Sequence, residues 1–173
     1  QNGNYGLSTN GRQNFSGGTS VPDANFYNQS EYDDDANILY AQTLPNSYFR
    51  WEVETGNEDL VSLNGNIGSV THLYTSPNVD NRLYLGTSSG RILKIDDAHT
   101  GTSKSYVQTN VGGGSVSCVA VEKGNENHML ATVSSYGSVS VFESFNNGTN
   151  WQSIEGNLPD MPVWWVLFDP IDP

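Results

Sequence analysis

The sequence is poor in cysteine, in cations, in long apolar runs and in helical patterning, and each shortage removes a class of protein. With one cysteine, Cys118, no disulfide can form within the chain. That thiol stands in the apolar run SVSCVAV, where a buried, inert side chain is expected. Lys and Arg total 7 against 19 Asp plus Glu, a formal charge of −12. So small a basic complement argues against nucleic acid and against an anionic membrane surface, both of which take clustered cations. The longest apolar run, VWWVLF, has the length of a strand and falls far short of the ~20 residues that span a bilayer. No stretch carries helical periodicity for longer than a turn. The chain opens at Gln1 rather than Met, as a processed or truncated product would.

Turn formers are what the sequence has in quantity. Among 173 residues there are 20 Asn and 18 Gly, the two residue types that best tolerate left-handed backbone angles. Charge is sparse and aromatic residues are frequent, which excludes a disordered chain. The composition predicts one domain of many short strands joined by many turns.

Those strands repeat. Val70 aligns with Val116 at an offset of 46, and Leu83 with Leu130, Gly90 with Gly137 and Gly101 with Gly148 at an offset of 47. Val163 continues the series 47 residues after Val116, and Leu39 lies 44 before Leu83 in a fainter copy. Each full unit reads as four strands: SVTHLYTS, RLYLGTS, RILKIDD and SYVQTN, then SVSCVAVE, HMLATVSS, SVSVFES and WQSIE. RILKID and SVSVFE alternate with period two, as half-buried strands do. The first strand of each unit is more continuously apolar, which suits an inner strand covered on both faces. A period of 40 to 50 residues with four strands per unit is the signature of a β-propeller blade. The fold class read from the sequence is therefore all-β, a propeller segment with four-stranded antiparallel blades of about 47 residues.

The run SFNNGTNW lies between the third and fourth strands of the last full unit. Ser144, Asn146, Gly148 and Trp151 stand in it at fixed spacing. A short polar side chain at 146 bonds the turn's own amides, Gly148 supplies a positive backbone angle, and Trp151 fills space beneath the hairpin. This spacing resembles the Asp-box, or BNR repeat, Ser-x-Asp-x-Gly-x-x-Trp, with Asn146 in place of the usual Asp. At the equivalent positions one unit earlier stand Asp97, His99, Gly101 and Lys104, so only the glycine of a box remains; Gly56 is a still earlier relic. NLPDMPVWWVLFDPIDP and RLYLGTSSGRILKID are similar to blade junctions of sortilin-like (VPS10-type) propellers in large secreted proteins, notably of Bacteroidetes. The resemblance implies a structural role for the four box residues and a secreted or cell-surface location.

The repeat divides the chain as follows: 1–25 as the end of a preceding blade, 26–66 as the faint blade, 67–112 and 113–161 as full blades, and 162–173 as the first strand of an incomplete one. Closed propellers use about 4 to 8 blades. Two completions are open: the N-terminal residues supply missing strands, or the chain is one piece of a larger protein, which the missing strands favour. An isolated segment is expected to be poorly stable.

Ligands of propellers gather at one face, around the central channel. The aromatic candidates there are Tyr136, in the turn between second and third strands, and Trp164 with its neighbour Trp165, whose alternative role is packing between blades. The carboxylate cluster Glu31–Asp35 reads as a solvated turn, with a Ca²⁺ site on its oxygens as the alternative. His72, His99 and His128 lie apart, without metal-ligand spacing. No metal or cofactor is expected. The four arginines, Arg12, Arg50, Arg82 and Arg91, lack the Arg-Ile-Pro motif of sialidases, and no nucleophile elbow or zinc-protease motif is present. No catalytic residue is assigned. The reading is a non-catalytic extracellular binding or scaffold module with a protein or glycan ligand at the propeller face. Two alternatives stand beside it. One is a xyloglucanase-like glycoside hydrolase, for which Asp160 and Asp169 are the nominal carboxylates. The other is an assembly factor of a large membrane-associated complex. Asn28-Gln29-Ser30 and Asn147-Gly148-Thr149 fit the glycosylation sequon.

Overall fold

A computed structural model describes residues 3–24 and 27–169. It opens with an antiparallel hairpin, β1 (Asn4–Gly6) and β2 (Gly18–Ser20). Next comes a meander of β3 (Ser30–Asp33), β4 (Ile38–Gln42), β5 (Ser47–Glu52) and β6 (Glu58–Leu63). The second meander is β7 (Val70–Thr75), β8 (Leu83–Thr87), β9 (Arg91–Ile95) and, after the short β10 (Ser103–Lys104), β11 (Val107–Asn110). The third is β12 (Val116–Glu122), β13 (Asn125–Val133), β14 (Val141–Ser144) and β15 (Gln152–Ser153). The chain is all-β, a partial β-propeller of four-stranded antiparallel blades.

Strand alternation builds two cores at once. On β8, Leu83 and Leu85 enter the cluster shared with the first blade, while Tyr84 enters the cluster shared with the third. On β9, Leu93 and Ile95 face the first cluster and Ile92 the second. Period-two side chains thus point to opposite faces of one sheet, and both faces are buried. Close approach requires Gly86, because a Cβ there would lie 2.7 Å from Val116 Cγ1 on the neighbouring inner strand. A third cluster, Val21, Ala41, Phe49 and Trp51 with Tyr5 and Leu7 packed against it, joins the N-terminal hairpin to the first blade.

The turn between second and third strands takes a positive φ in every blade: Asn46 at 62°, Gly90 at 75° and Gly137 at 70°. Asn46 also accepts the Ile67 amide on its Oδ1 at 2.8 Å, which ties the turn to the next connection.

The stretch read as a box relic does other work. Ser103–Lys104 leaves the second blade and pairs in parallel with Ser62–Leu63 of β6. Ala98 is fully buried in the first blade's core. Its carbonyl accepts from Tyr48 Oη at 3.0 Å and Arg50 Nη1 at 3.2 Å. Residues 96–106 therefore form a strap onto the preceding blade. Lys104, at the tryptophan position of the box, bonds the Asp97 carbonyl within that strap.

After β15 the chain crosses the end of the third blade and runs from Pro162 to Asp169 beside β12, with no strand assigned. Val163 N donates to the Val133 carbonyl at 3.4 Å, and Ser117 Oγ donates to the Val163 carbonyl at 2.6 Å. Of the 162–173 segment read as the start of an incomplete blade, residues 170–173 lie outside the described residues.

Candidate functional site

The Ser144–Trp151 turn joins β14 to β15. Ser144 is buried, and its Oγ donates to Asn146 Oδ1 at 3.0 Å. The same hydroxyl accepts the Gly148 amide at 3.0 Å, and Asn146 Oδ1 accepts the Asn150 amide at 2.8 Å. Two short side chains thereby satisfy amides that the turn leaves unpaired. Gly148 has φ +74°, and a Cβ on it would lie 3.3 Å from Trp151 Cζ2 and 3.4 Å from Met129 Sδ. Trp151 is half-buried against the cluster between second and third blades, its indole N–H buried without an acceptor. The turn sits at the outer side of the blade, and its contacts are those of a brace.

Asn147, the residue between the box positions, reaches furthest. At φ +55° its Nδ2 donates to Tyr84 Oη at 3.2 Å and to the Glu126 carbonyl at 2.7 Å, while its Oδ1 accepts from Lys94 Nζ. Glu126 collects four further bonds across the same junction: Tyr84 Oη at 2.6 Å, Ser76 Oγ at 2.8 Å, Asn78 Nδ2 at 2.9 Å and Arg82 Nη1 at 3.2 Å. Burial pushes its carboxyl upward, but these donors outweigh burial and hold it below the usual carboxylate value. Sequence reading missed this hub, whose partners lie 42 to 50 residues away and carry no local pattern. The sequon at Asn147 is occupied by these bonds.

The histidines are separate. His72 is 3 % exposed, and burial pushes it down to about 4, outweighing the backbone of Val119 beside its ring. Its ring meets the edge of Trp165 at 5.5 Å. His128 faces Glu122 Oε2 at 2.8 Å and Glu143 Oε1 at 3.0 Å, one carboxylate on each nitrogen. It stacks on Phe145 at 4.6 Å and meets Phe168 at 4.8 Å. Partial burial lowers its pKa, but the two carboxylates outweigh this and raise it above the ordinary value.

Tyr136 and Trp164, the candidate ligand-face residues, are 78 % and 69 % exposed. Tyr136 stands on the turn between β13 and β14, and the neighbouring Gly137 amide donates to Asp160 Oδ1 at 2.7 Å. Trp164 lies on the segment after β15, beside Trp165 at 63 % exposure. The Glu31–Asp35 cluster lines a cleft of about 670 Å³, completed by Tyr74, Asp80 and Lys123 among others. Glu31 Oε1 there accepts from Thr75 Oγ1 at 3.0 Å, and its pKa is raised by burial. Among the described residues no group of three or more His, Cys, Asp or Glu is placed to hold a metal ion. Among the described residues no helix is long and apolar enough to cross a membrane.

No family model matches the chain, and no curated protein matches it. Solved structures do. The chain is similar to the WD40 propeller domain of Doa1, at 17 % identity and TM-score 0.64, over 91 % of this chain and 50 % of that one. It is similar to YCF48 from Cyanidioschyzon merolae, at 13 % identity and TM-score 0.60, over 72 % of this chain and 39 % of that one. It is also similar to an ancestral GH74 enzyme, at 17 % identity and TM-score 0.62, over 83 % of this chain and 22 % of that one. The chain spans half or less of the length of these structures. At these identities the likeness is one of fold.

Proposed function

We propose that this chain is part of a non-catalytic binding or scaffold propeller of the Asp-box, sortilin-like class, secreted or held at the cell surface. The observation that carries it is Tyr136: a ring 78 % exposed on a turn whose next amide is fixed by Asp160 at 2.7 Å. An exposed aromatic side chain stacks on sugars or on protein apolar groups. Two of the carboxylates are engaged in bracing. Asp160, one of the two that a hydrolase would use, holds the Gly137 amide, and Glu126 braces a blade junction. Protein or glycan is the ligand class. A chain of the mitotic checkpoint complex, similar to this one at 12 % identity and TM-score 0.51, supports a protein ligand as plausible for the fold.

The test is binding of the chain to a glycan array and to cell-envelope protein extracts, beside Tyr136→Ala. The expected result is a bound class that Tyr136→Ala weakens about tenfold or more with unchanged melting. Turnover of a β-glucan panel, abolished by Asp160→Asn or Asp169→Asn, would overturn the non-catalytic reading in favour of the hydrolase. Co-purification with a large membrane complex would favour the assembly factor.

A further inference from the structure

We propose that Lys94 and Asn147 condense into an amide, Lys94 Nζ to Asn147 Cγ, a self-made covalent bond between the second and third blades. This rests on the surroundings of Asn147 and is independent of the ligand reading. Lys94 stands on β9 two residues after Ile92, so both side chains leave the face turned to the third blade. Lys94 is half-buried there and lines a cavity of about 110 Å³ between the blades, with Tyr84, Ile92, Met129 and Asn147 among its walls. Lysines ordinarily keep their charged end in water. This one donates to Asn147 Oδ1, 53 residues away in sequence. Among the described residues no carboxylate lies within ion-pair distance of Lys94.

The amide is held as a reactant. Its Nδ2 donates to Tyr84 Oη at 3.2 Å and to the Glu126 carbonyl at 2.7 Å, which occupies both of its hydrogens. The plane of the amide is thereby fixed while the Lys94 amine rests against its oxygen, one bond from Cγ. Nucleophile and electrophile kept in contact by a folded scaffold react as one molecule, without the entropic cost of an encounter.

The reaction needs no outside reagent. The uncharged amine attacks Cγ, the Nζ–Cγ bond forms and the Cγ–Nδ2 bond breaks. One proton of Nζ ends on Nδ2, which leaves as ammonia, and nothing is oxidised or reduced. Tyr84 Oη touches Nδ2 and donates to Glu126 Oε1 at 2.6 Å, so phenol and carboxylate together are placed to pass that proton to the leaving nitrogen. With Cys118 as its one cysteine the chain has no internal disulfide, and this bond would close the junction covalently by other means.

The experiment is tryptic digestion of the purified full chain after denaturation, read by mass spectrometry. The expected result is no cleavage after Lys94 and a branched peptide joining 92–104 to 124–173, lighter than the two together by one ammonia. Lys94→Arg is expected to release 124–173 unbranched. Asn147→Asp can lose only water, and its branched peptide is expected to be lighter than its two parts by one water. Cyclisation of Gln1, or closure of Asn147 on the Gly148 amide, also loses ammonia, but both leave the peptides unbranched and persist in Lys94→Arg. Recovery of 124–173 from the wild-type chain wholly unbranched, with or without such a loss, would overturn the proposal and leave the Lys94–Asn147 contact a hydrogen bond only.

Discussion

Tyr84, on the second strand of one blade, donates its hydroxyl to Glu126 of the next at 2.6 Å. Ser76, Asn78 and Arg82 of Tyr84's own blade converge on the same carboxylate, so one acidic side chain clasps two sheets. Apolar packing drives the sheets together; this carboxylate fixes how they sit. Replacing Glu126 by Ala leaves several donors without an acceptor and is expected to cost about 2 kcal/mol. Glu126→Gln keeps the shape and is expected to cost less. The folded carboxyl is held below its ordinary value. Its contribution is therefore present above the usual carboxylate range and lost as pH falls through the folded value. Denaturant unfolding at pH 7 and pH 3 checks both: wild type should lose more stability on acidification than Glu126→Gln.

Gly90 and Gly137 occupy the same turn in consecutive blades, yet their tolerance should differ sharply. A Cβ on Gly90 would lie 1.8 Å from the Gly112 carbonyl oxygen, whereas one on Gly137 meets nothing within 4 Å. Both residues have positive φ. Gly137→Ala is thus expected to cost only the left-handed penalty, about 1 kcal/mol. Gly90→Ala must also move backbone and is expected to prevent a cooperative melt. Paired thermal melts of the two variants decide it.

These turns also explain what the sequence made visible. Gly90 and Gly137 stand out by eye at one offset, and with them the second and third blades. In the first blade the same positive-φ position is held by Asn46, whose side chain makes its own bond to Ile67 N. The strands there are as regular, but the repeat reads faintly because the turn is solved with different chemistry. The strap at 96–106 was illegible for another reason. Two residues of parallel pairing have no periodicity, and the burial of Ala98 depends on Tyr48 and Arg50, 48 to 50 residues away in sequence. Ser144, Asn146 and Gly148 were legible because their bonds are local. Asn147 was not, because its partners belong to Tyr84, Lys94 and Glu126.

His128 makes the third blade sensitive to alkali. With a carboxylate on each ring nitrogen, both nitrogens donate only when the ring is protonated. Its folded pKa lies above the ordinary value. The stabilisation is thus fully present below about pH 6.5 and lost as pH rises through the folded value. Glu122 and Glu143 face the ring, with Phe145 and Phe168 against it and Asp169 next in the chain. His128→Phe keeps an aromatic there and cannot titrate. The difference in melting temperature between wild type and His128→Phe should shrink or change sign between pH 5.5 and pH 8.5; a constant difference would remove His128 as the cause.

The Ser144–Trp151 turn should govern stability and leave binding alone. Trp151 packs on Met129 and Phe142's cluster at the outer side of the blade, whereas Tyr136 lies at the opposite end of β14, before the strand begins. Trp151→Ala removes a large half-buried side chain and is expected to cost about 3 kcal/mol, the low end for buried aromatics. Its indole N–H has no acceptor, so no hydrogen bond adds to that loss. Asn146→Ala forfeits the acceptor for the Asn150 amide and the Ser144 hydroxyl and is expected to cost about 1 kcal/mol. Asn146→Asp keeps that acceptor and should be close to neutral. The three variants are compared with wild type in denaturant unfolding and in whichever binding assay Tyr136→Ala weakens. Stability is expected to fall in the order Asn146→Asp, Asn146→Ala, Trp151→Ala, with affinity unchanged among the molecules that remain folded. Lost affinity at unchanged stability for Trp151→Ala would move the ligand site from Tyr136 to the box turn.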